Sequence, residues 1–186
     1  MKFTVTKMDA ARRQLRTAIE LWFAKGDPVA IHTLAYAAHE IIHRLFRHKG
    51  LSDLVFDTTA VEDSQRAAFA KSIKQSANFF KHSKIEKAED EIDFDPQMNV
   101  LFLVMSVVAL EHMKEPRSDE EAALMVWHAL HEPSLFPNFQ KMFQERIPVD
   151  LRTELMVLKR DEFLHAFRKT LAARVCTAMG AKRSPI

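Results

Sequence analysis

The chain has little of the chemistry that cross-links or sharply bends a fold. Its one cysteine, Cys176, excludes an internal disulfide and is expected to pack as a small hydrophobe. Only three glycines and seven prolines occur among 186 residues, so few of the turns that β-hairpins need are present. Residues that favour helix, such as Ala, Leu, Lys, Glu, Gln and Met, are plentiful instead. The composition therefore predicts an all-α fold.

The sequence also lacks a hydrophobic run long enough to cross a bilayer. Its longest apolar run, residues 100–110, is interrupted by Ser106, whereas a transmembrane helix needs about 20 apolar residues. The opening residues, MKFTVTKMDAARRQ, contain no apolar segment of signal-peptide length. We expect a cytoplasmic protein with no membrane contact.

Neither sign of charge dominates, because 27 Lys and Arg oppose 25 Asp and Glu. The charges are unevenly distributed: residues 1–50 and 151–186 are basic, while the middle of the chain, above all 86–95, is acidic. Basic ends favour contact with an anionic partner such as nucleic acid. The same pattern is also typical of an ordinary solvated helical surface, so charge alone does not establish a partner.

Cap residues and apolar spacing divide the chain into helices. Asp27 followed by Pro28 is typical of a helix start. Three further pairs resemble capping boxes: Thr6 with Asp9, Thr59 with Glu62, and Ser118 with Glu121. Together these signals predict helices over about 7–25, 28–50, 59–82, 95–114, 118–131, 139–146 and 150–179. No internal repeat or linker is visible. We predict one helical domain over residues 1–186, built as a bundle of five to seven helices.

The third predicted helix carries a polar, basic face. Lys74, Asn78 and His82 recur at i, i+4 and i+8, with Lys71 and Lys81 beside them. Lysines can neutralise a phosphodiester, an amide can orient it, and a histidine can move a proton near neutral pH. A solvated helix end, where Lys and His also suit the helix dipole, is the alternative interpretation.

Residues 8–82 resemble HEPN-type helical domains. The segment AARRQLRTAIELWFAKGDPVAIHTLAYAAHEIIHRLF is similar to their opening helical pair, and the later ANFFKH is similar to their Arg-polar-His motif. Asn78 and His82 match that motif, whereas Ala77 stands where the family has arginine. The chain also resembles uncharacterised bacterial proteins that share the NFFKH segment and the helical hairpin.

The HEPN resemblance implies an up-down helical core, a homodimer, and a metal-independent ribonuclease of a toxin–antitoxin or defence type that needs no cofactor. His82, Asn78, Lys74 and Lys81 are then the candidate catalytic residues. Losing a donor that stabilises developing charge costs roughly two or more orders of magnitude in rate. With Ala77 at the arginine position, Lys74 or Lys81 would have to replace that donor, and an ammonium group lacks the bidentate fork of arginine.

A second Arg-x4-His string, Arg160 to His165, provides secondary catalytic candidates. Both residues fall inside the last predicted helix, where positions five apart diverge by about 140°. They would have to border one cleft to act together.

Two metal-ligand patterns also occur. His39-Glu40-Ile41-Ile42-His43 is an HExxH motif, which in zinc proteases places two imidazoles and a general base on one helical face. The two Glu-x-x-His pairs, at 40–43 and 162–165, together with Glu20 and Glu111 on other helices, formally resemble the ligands of di-iron bundles. No strand precedes the HExxH segment to hold a peptide substrate, so a solvated face is the favoured interpretation and a zinc metalloenzyme is a second alternative.

The sequence therefore leaves open whether the protein is an enzyme. The first hypothesis is a HEPN-like RNA-binding protein that can act as a ribonuclease. Its alternative is a non-catalytic helical interaction module that binds a co-encoded protein partner.

Overall fold

A computed structural model of the chain describes residues 2–52, 54, 55, 62–81, 91–132, 141, 145 and 147–171. Within these residues the chain forms seven α-helices and no strand. They are α1 (Lys7–Phe23), α2 (Pro28–His48), α3 (Asp63–Lys81), α4 (Gln97–His112), α5 (Asp119–His131), α6 (Val149–Met156) and α7 (Arg160–Ala166), and a π-helical segment (Phe167–Leu171) follows α7. The all-α prediction is confirmed. Among the described helices, none combines the length and apolar composition needed to cross a membrane.

The backbone divides into two compact units. Unit 1 contains Met1–Ala18 and Asp27–Ala109, and unit 2 contains Ile19–Gly26 and Leu110–Ile186. Helices α1 and α4 each contribute residues to both units.

Side chains at three helix starts satisfy backbone groups that would otherwise lack partners. The Asp9 amide donates to Thr6 Oγ1 at 3.1 Å, and Asp27 Oδ1 accepts from the Ala30 amide at 2.9 Å. Before α5, Ser118 Oγ accepts from the Glu121 amide at 3.2 Å and the Glu121 carboxylate accepts from the Ser118 amide at 3.0 Å. These three predicted caps are confirmed. The cap predicted at Thr59 lies outside the described residues.

The first helix ends two residues earlier than predicted because its last turn is closed by a left-handed residue. Lys25 adopts φ 56°, and the Gly26 amide donates back to the Leu21 carbonyl at 2.8 Å. A Cβ atom on Gly26 would lie only 3.2 Å from that carbonyl oxygen. Gly26 is therefore needed because the backbone passes so close to this carbonyl oxygen, while Lys25 takes the left-handed conformation.

Helices α2 and α4 end in the same manner, each about two residues before its predicted end. Gly50 has φ 75° and Lys114 has φ 61°. The amides of the following residues, Leu51 and Glu115, donate back across the helix ends.

The long last helix predicted over 150–179 is wrong. The chain instead forms α6 and α7, separated by a turn in which Lys159 is extended. On one straight helix the buried pair Leu151 and Leu155 would point about 150° away from the buried residues 163, 164 and 167. A break lets both apolar sets be buried. The residues beyond 171, including Cys176, lie outside the described part, and of the predicted helix 139–146 only residues 141 and 145 are described.

Each unit has its own apolar core. In unit 1, α2 buries Ile31, Ala35, Ala38 and Ile42, and α4 buries Phe102 and Leu103. In unit 2, Trp22, Phe23, Trp127 and Phe163 form an aromatic cluster in which the Phe23 and Phe163 rings stack at 5.7 Å.

Replacing Ser118 with alanine should lower the free energy of unfolding by about 1 kcal/mol, because the capping box before α5 is largely buried. Urea denaturation measures this loss. Thr153→Ala is the matched control, since the exposed Thr153 hydroxyl donates only to a carbonyl of its own helix. An equal loss in both variants would contradict a specific role for the cap.

Candidate functional site

The structure gives the residues of the predicted site on α3 different surroundings. Asn78 is exposed, Lys74 is half-buried, and Lys81 bends toward α2. His82, the predicted proton-transfer residue, lies outside the described residues. Lys74 and Asn78, one turn apart, therefore share a face of α3, whereas Lys81 is drawn toward α2.

Four exposed residues form what we call the outer stripe of α3: Lys71, Gln75, Asn78 and Phe79. They occupy positions i, i+4, i+7 and i+8, so they share one face. From residue 64 to residue 81 the helix contains four basic residues and no carboxylate. The outer stripe is therefore a polar, positively charged surface that contains one aromatic ring.

Phe79 is the residue that the sequence analysis overlooked. It remains 41% exposed. The ring meets Phe80 edge to face at 6.0 Å, and Phe80 in turn contacts the rings of His32 and Phe94. Phe79 is thus an exposed ring held against a partly buried aromatic cluster, and its spacing from Lys71 is the sequence signal that identifies it.

Lys81 lies against the side of α2. Its Nζ atom is 4.3 Å from the centre of the Tyr36 ring and 3.9 Å from Glu40 Oε2. The first contact has cation–π geometry and the second is a loose ion pair. Lys81, a candidate catalytic residue, is therefore already engaged within the protein.

Glu40 also holds a second cation. Arg44 Nη2 lies 3.3 Å from Glu40 Oε1, one helical turn away. Beside them, a cavity of about 260 Å³ is lined by Glu40, Arg44, Ile41, Leu45 and Lys7. This volume lies just below the ~300–1,000 Å³ of small-molecule sites, so it suits a fragment such as one phosphate or one base.

Tyr36 adds no negative charge to this region. Burial, with a further contribution from Glu40, raises the pKa of Tyr36 to about 12. The phenol is therefore neutral at physiological pH, and its ring offers Lys81 an uncharged aromatic face.

The position that matches the HEPN arginine is buried. Ala77 is 0% exposed and packs on the inner side of α3 together with Ile73. An arginine at this position would point into the core rather than toward Asn78. This explains in physical terms why alanine fits here.

The HExxH motif is divided between the core and the surface. His39 is 0% exposed and its Nδ1 lies 3.0 Å from Ser106 Oγ, while Glu40 pairs with cations. The rings of His39 and His43 are 6.3 Å apart. Across the part of the chain that the structure describes, no group of three His, Cys, Asp or Glu residues is arranged to hold a metal ion.

A second buried histidine forms an equivalent pair one heptad earlier on α2. His32 Nδ1 lies 2.9 Å from Asn99 Oδ1, and Asn99 Nδ2 donates to the Pro28 carbonyl at 3.0 Å. Because a carbonyl can only accept, Asn99 must turn its oxygen toward His32, whose Nδ1 therefore carries the proton. His32 Nε2 has no hydrogen-bond partner among the described residues. Sequence reasoning missed both pairs, since their partners are about 67 residues apart.

The secondary candidates Arg160 and His165 have separate environments in unit 2. Arg160 Cζ lies 4.8 Å from the centre of the Trp22 ring, and His165 is exposed. The neighbouring Asp161 accepts from Lys25 Nζ at 3.0 Å. The guanidinium is thus used in aromatic packing, and the described contacts do not join it to His165.

An arginine of the π-helical segment links two carboxylates in unit 2. Arg168 donates to Glu20 and to Glu120, and it forms an ion pair with each. Burial raises the pKa of Glu120, but hydrogen bonds with Ser118 and Arg168 outweigh this and leave the pKa below its ordinary value. Glu20, which had been considered as a di-iron ligand, is therefore held by a cation. The contacts of Arg168 with Glu20 and Glu120 therefore have a structural role.

Comparison of the chain with protein-family models, with curated proteins and with solved structures finds no match to any of them. The functional argument therefore depends on the geometry of the described residues.

The stability of the protein should fall as the pH falls from 7.5 to 5.5. Burial lowers the pKa of both His32 and His128 below the ordinary value of 6.5. Below pH 6.5 the unfolded chain therefore binds more protons than the folded chain, and protonation favours unfolding. Each histidine can contribute up to ~1.4 kcal/mol per pH unit. The measurement is urea denaturation across this range.

The variant His32→Gln should flatten this pH dependence, because it removes one of the two histidines whose pKa is lowered by burial. The quantity to compare is the slope of the free energy of unfolding against pH, even if the variant is less stable than wild type at pH 7.5. His48→Gln, which changes an exposed histidine of α2, serves as the control and should keep the wild-type slope. A wild-type slope in His32→Gln would show that the buried His32 ring is not a source of the pH dependence.

Proposed function

We propose that this protein binds single-stranded RNA through the outer stripe of α3, acting as a HEPN-like homodimer. The observation that carries the proposal is the exposed ring of Phe79 beside Asn78 on a helix with four basic residues and no carboxylate between residues 64 and 81.

Each residue of the stripe suits one part of an unpaired strand. Phe79 offers a face on which a base can stack, because its edge-to-face contact with Phe80 leaves it 41% exposed. Lys71 supplies a positive charge for the phosphate backbone, while Gln75 and Asn78 carry amides that can hydrogen bond to base edges. Bases are available for stacking only when unpaired, which favours a single strand over a duplex.

The combination of a charged side chain and an aromatic ring on one face distinguishes the outer stripe from an ordinary solvated helix face. A solvated face gains nothing from a large exposed aromatic ring, whereas stacking on an aromatic side chain contributes about 1–3 kcal/mol per base. Lysine and an aromatic ring on the same helical face are the two components of single-strand recognition.

Phe79→Ala should weaken the binding of a 12-nucleotide unstructured RNA by roughly tenfold, because one stacked base is worth about 1–3 kcal/mol. Fluorescence anisotropy at fixed salt measures the affinity. Phe3→Ala is the matched control, since Phe3 is also an exposed phenylalanine of unit 1, at 67% exposure. Phe79→Trp should retain binding.

Lys71→Ala should weaken binding and reduce its salt dependence, whereas Lys169→Ala, which removes an exposed lysine of unit 2, should leave both near wild type. Wild-type affinity in both Phe79→Ala and Lys71→Ala would refute the proposed surface.

The same proposal extends to cleavage, with His82 as the proton-transfer group. On sequence spacing, His82 lies eleven residues after Lys71 and would continue the outer stripe by about one helical turn. We expect wild type to cleave a mixed RNA in excess EDTA at pH near 7, and His82→Ala to lose this cleavage while keeping most of its binding.

Three other outcomes of the cleavage and binding assays are informative. Equal cleavage by wild type and His82→Ala would identify a contaminating nuclease and remove His82 from the site. No cleavage by either, together with intact binding, would leave an RNA-binding protein without catalytic activity. Failure to bind RNA, with a stoichiometric protein co-purifying instead, would favour the interaction module.

A further inference from the structure

Two cations of unit 1, Arg44 and Lys81, approach Glu40, and a third, Lys7, lines the cavity beside it. The two carboxylate oxygens of Glu40 lie 3.3 Å from Arg44 and 3.9 Å from Lys81, and Glu40 lines a cavity together with Lys7 and Arg44. Tyr36, which also contacts Lys81, is neutral because burial raises its pKa to about 12. Glu40 is therefore the carboxylate that balances these cations.

The geometry of these contacts is loose. The Glu40 side chain is 39% exposed and that of Arg44 is 78% exposed, so water screens both ion pairs and each contributes little to stability. A phosphate can approach Arg44 and Lys7 from the cavity and would meet Arg44 with stronger, charge-assisted hydrogen bonds. A weak internal anion beside a cation-lined cavity is thus easily exchanged for an external one.

The two lysines of the predicted site also fit this arrangement. Lys81 and the half-buried Lys74 are seven residues apart, so they share the flank of α3 next to the outer stripe. Phe79 and Lys81 are two residues apart and project about 160° from each other around α3, with Asn78 between them. A strand that stacks on Phe79 therefore reaches Lys81 by crossing the helix past Asn78. Lys81 contributes to that contact only when it leaves Glu40.

We propose that Glu40 restrains Lys81 and Arg44 in the free protein and is displaced from them by a phosphate group of the bound strand. This proposal rests on the RNA binding proposed above. Glu40 thereby sets how tightly RNA is held, and it makes binding depend on a phosphate that can reach the cavity beside α2.

Glu40→Gln tests this role because it keeps the side-chain shape and removes the charge. We expect the variant to bind the 12-nucleotide RNA about two- to tenfold more tightly than wild type, given that each exposed ion pair is worth ~0.2–1 kcal/mol. The dependence of log affinity on log salt should steepen by about 0.7 for each additional phosphate that the released cations neutralise. A purely structural role for Glu40 would not change that salt dependence.

Glu111→Gln is the matched control. Glu111 also pairs with an arginine, Arg117, at 2.6 Å, but it belongs to unit 2. Both variants change the net charge equally, so only Glu40→Gln should bind RNA more tightly. In a Lys81→Ala background the improvement from Glu40→Gln should shrink, because one of the two released cations is missing.

Each remaining outcome overturns the role of Glu40 in an identifiable way. Wild-type affinity in Glu40→Gln would refute the restraint while leaving RNA binding intact. An equal improvement in Glu111→Gln would show a general charge effect. If Glu40→Gln improved binding as much in the Lys81→Ala background as in the wild-type background, the release of Lys81 from Glu40 would play no part in binding. If neither wild type nor Glu40→Gln binds, the proposed function itself fails.

Discussion

Two buried polar pairs determine how the core of unit 1 is assembled. His32 pairs with Asn99 and His39 pairs with Ser106, each histidine being at most 1% exposed. Both pairs join α2 to α4, and both span the same sequence separation, so the two helices run parallel and in register. A buried polar group that loses its partner costs about 1–3 kcal/mol. Sliding α2 along α4 would break both pairs at once, which makes this register specific.

The orientation of α2 then decides what the helix presents to α3. Tyr36 and Glu40 lie about 40° and 80° around the helix from His32, given 3.6 residues per turn. They are thereby turned to the side where Lys81 lies, at 4.3 Å from the ring of one and 3.9 Å from the carboxylate of the other. The polar pairs in the core are therefore the physical origin of the contacts that restrain Lys81.

Helix α3 combines structural and functional roles on adjacent faces. Ile73 and Ala77 face inward, Lys81 leans on α2, and the outer stripe around Phe79 and Asn78 remains in solvent. Phe80 connects the two sides, because it contacts Phe79 on the surface and His32 in the core. A surface ring supported in this way can hold its orientation before any ligand arrives, which lowers the entropy lost on binding.

The sequence by itself determined the helical class and the helix starts, because caps such as Asp27 and Ser118 act within one turn of their own chain. It did not determine the break after Met156, since that depends on which apolar side chains the core must receive. Nor did it reveal that Lys81 is held by Tyr36 and Glu40, that His39 lies in the core, or that Phe79 is left exposed. Those features arise from contacts between residues tens of positions apart, and local periodicity carries no information about which distant helix will cover a given face.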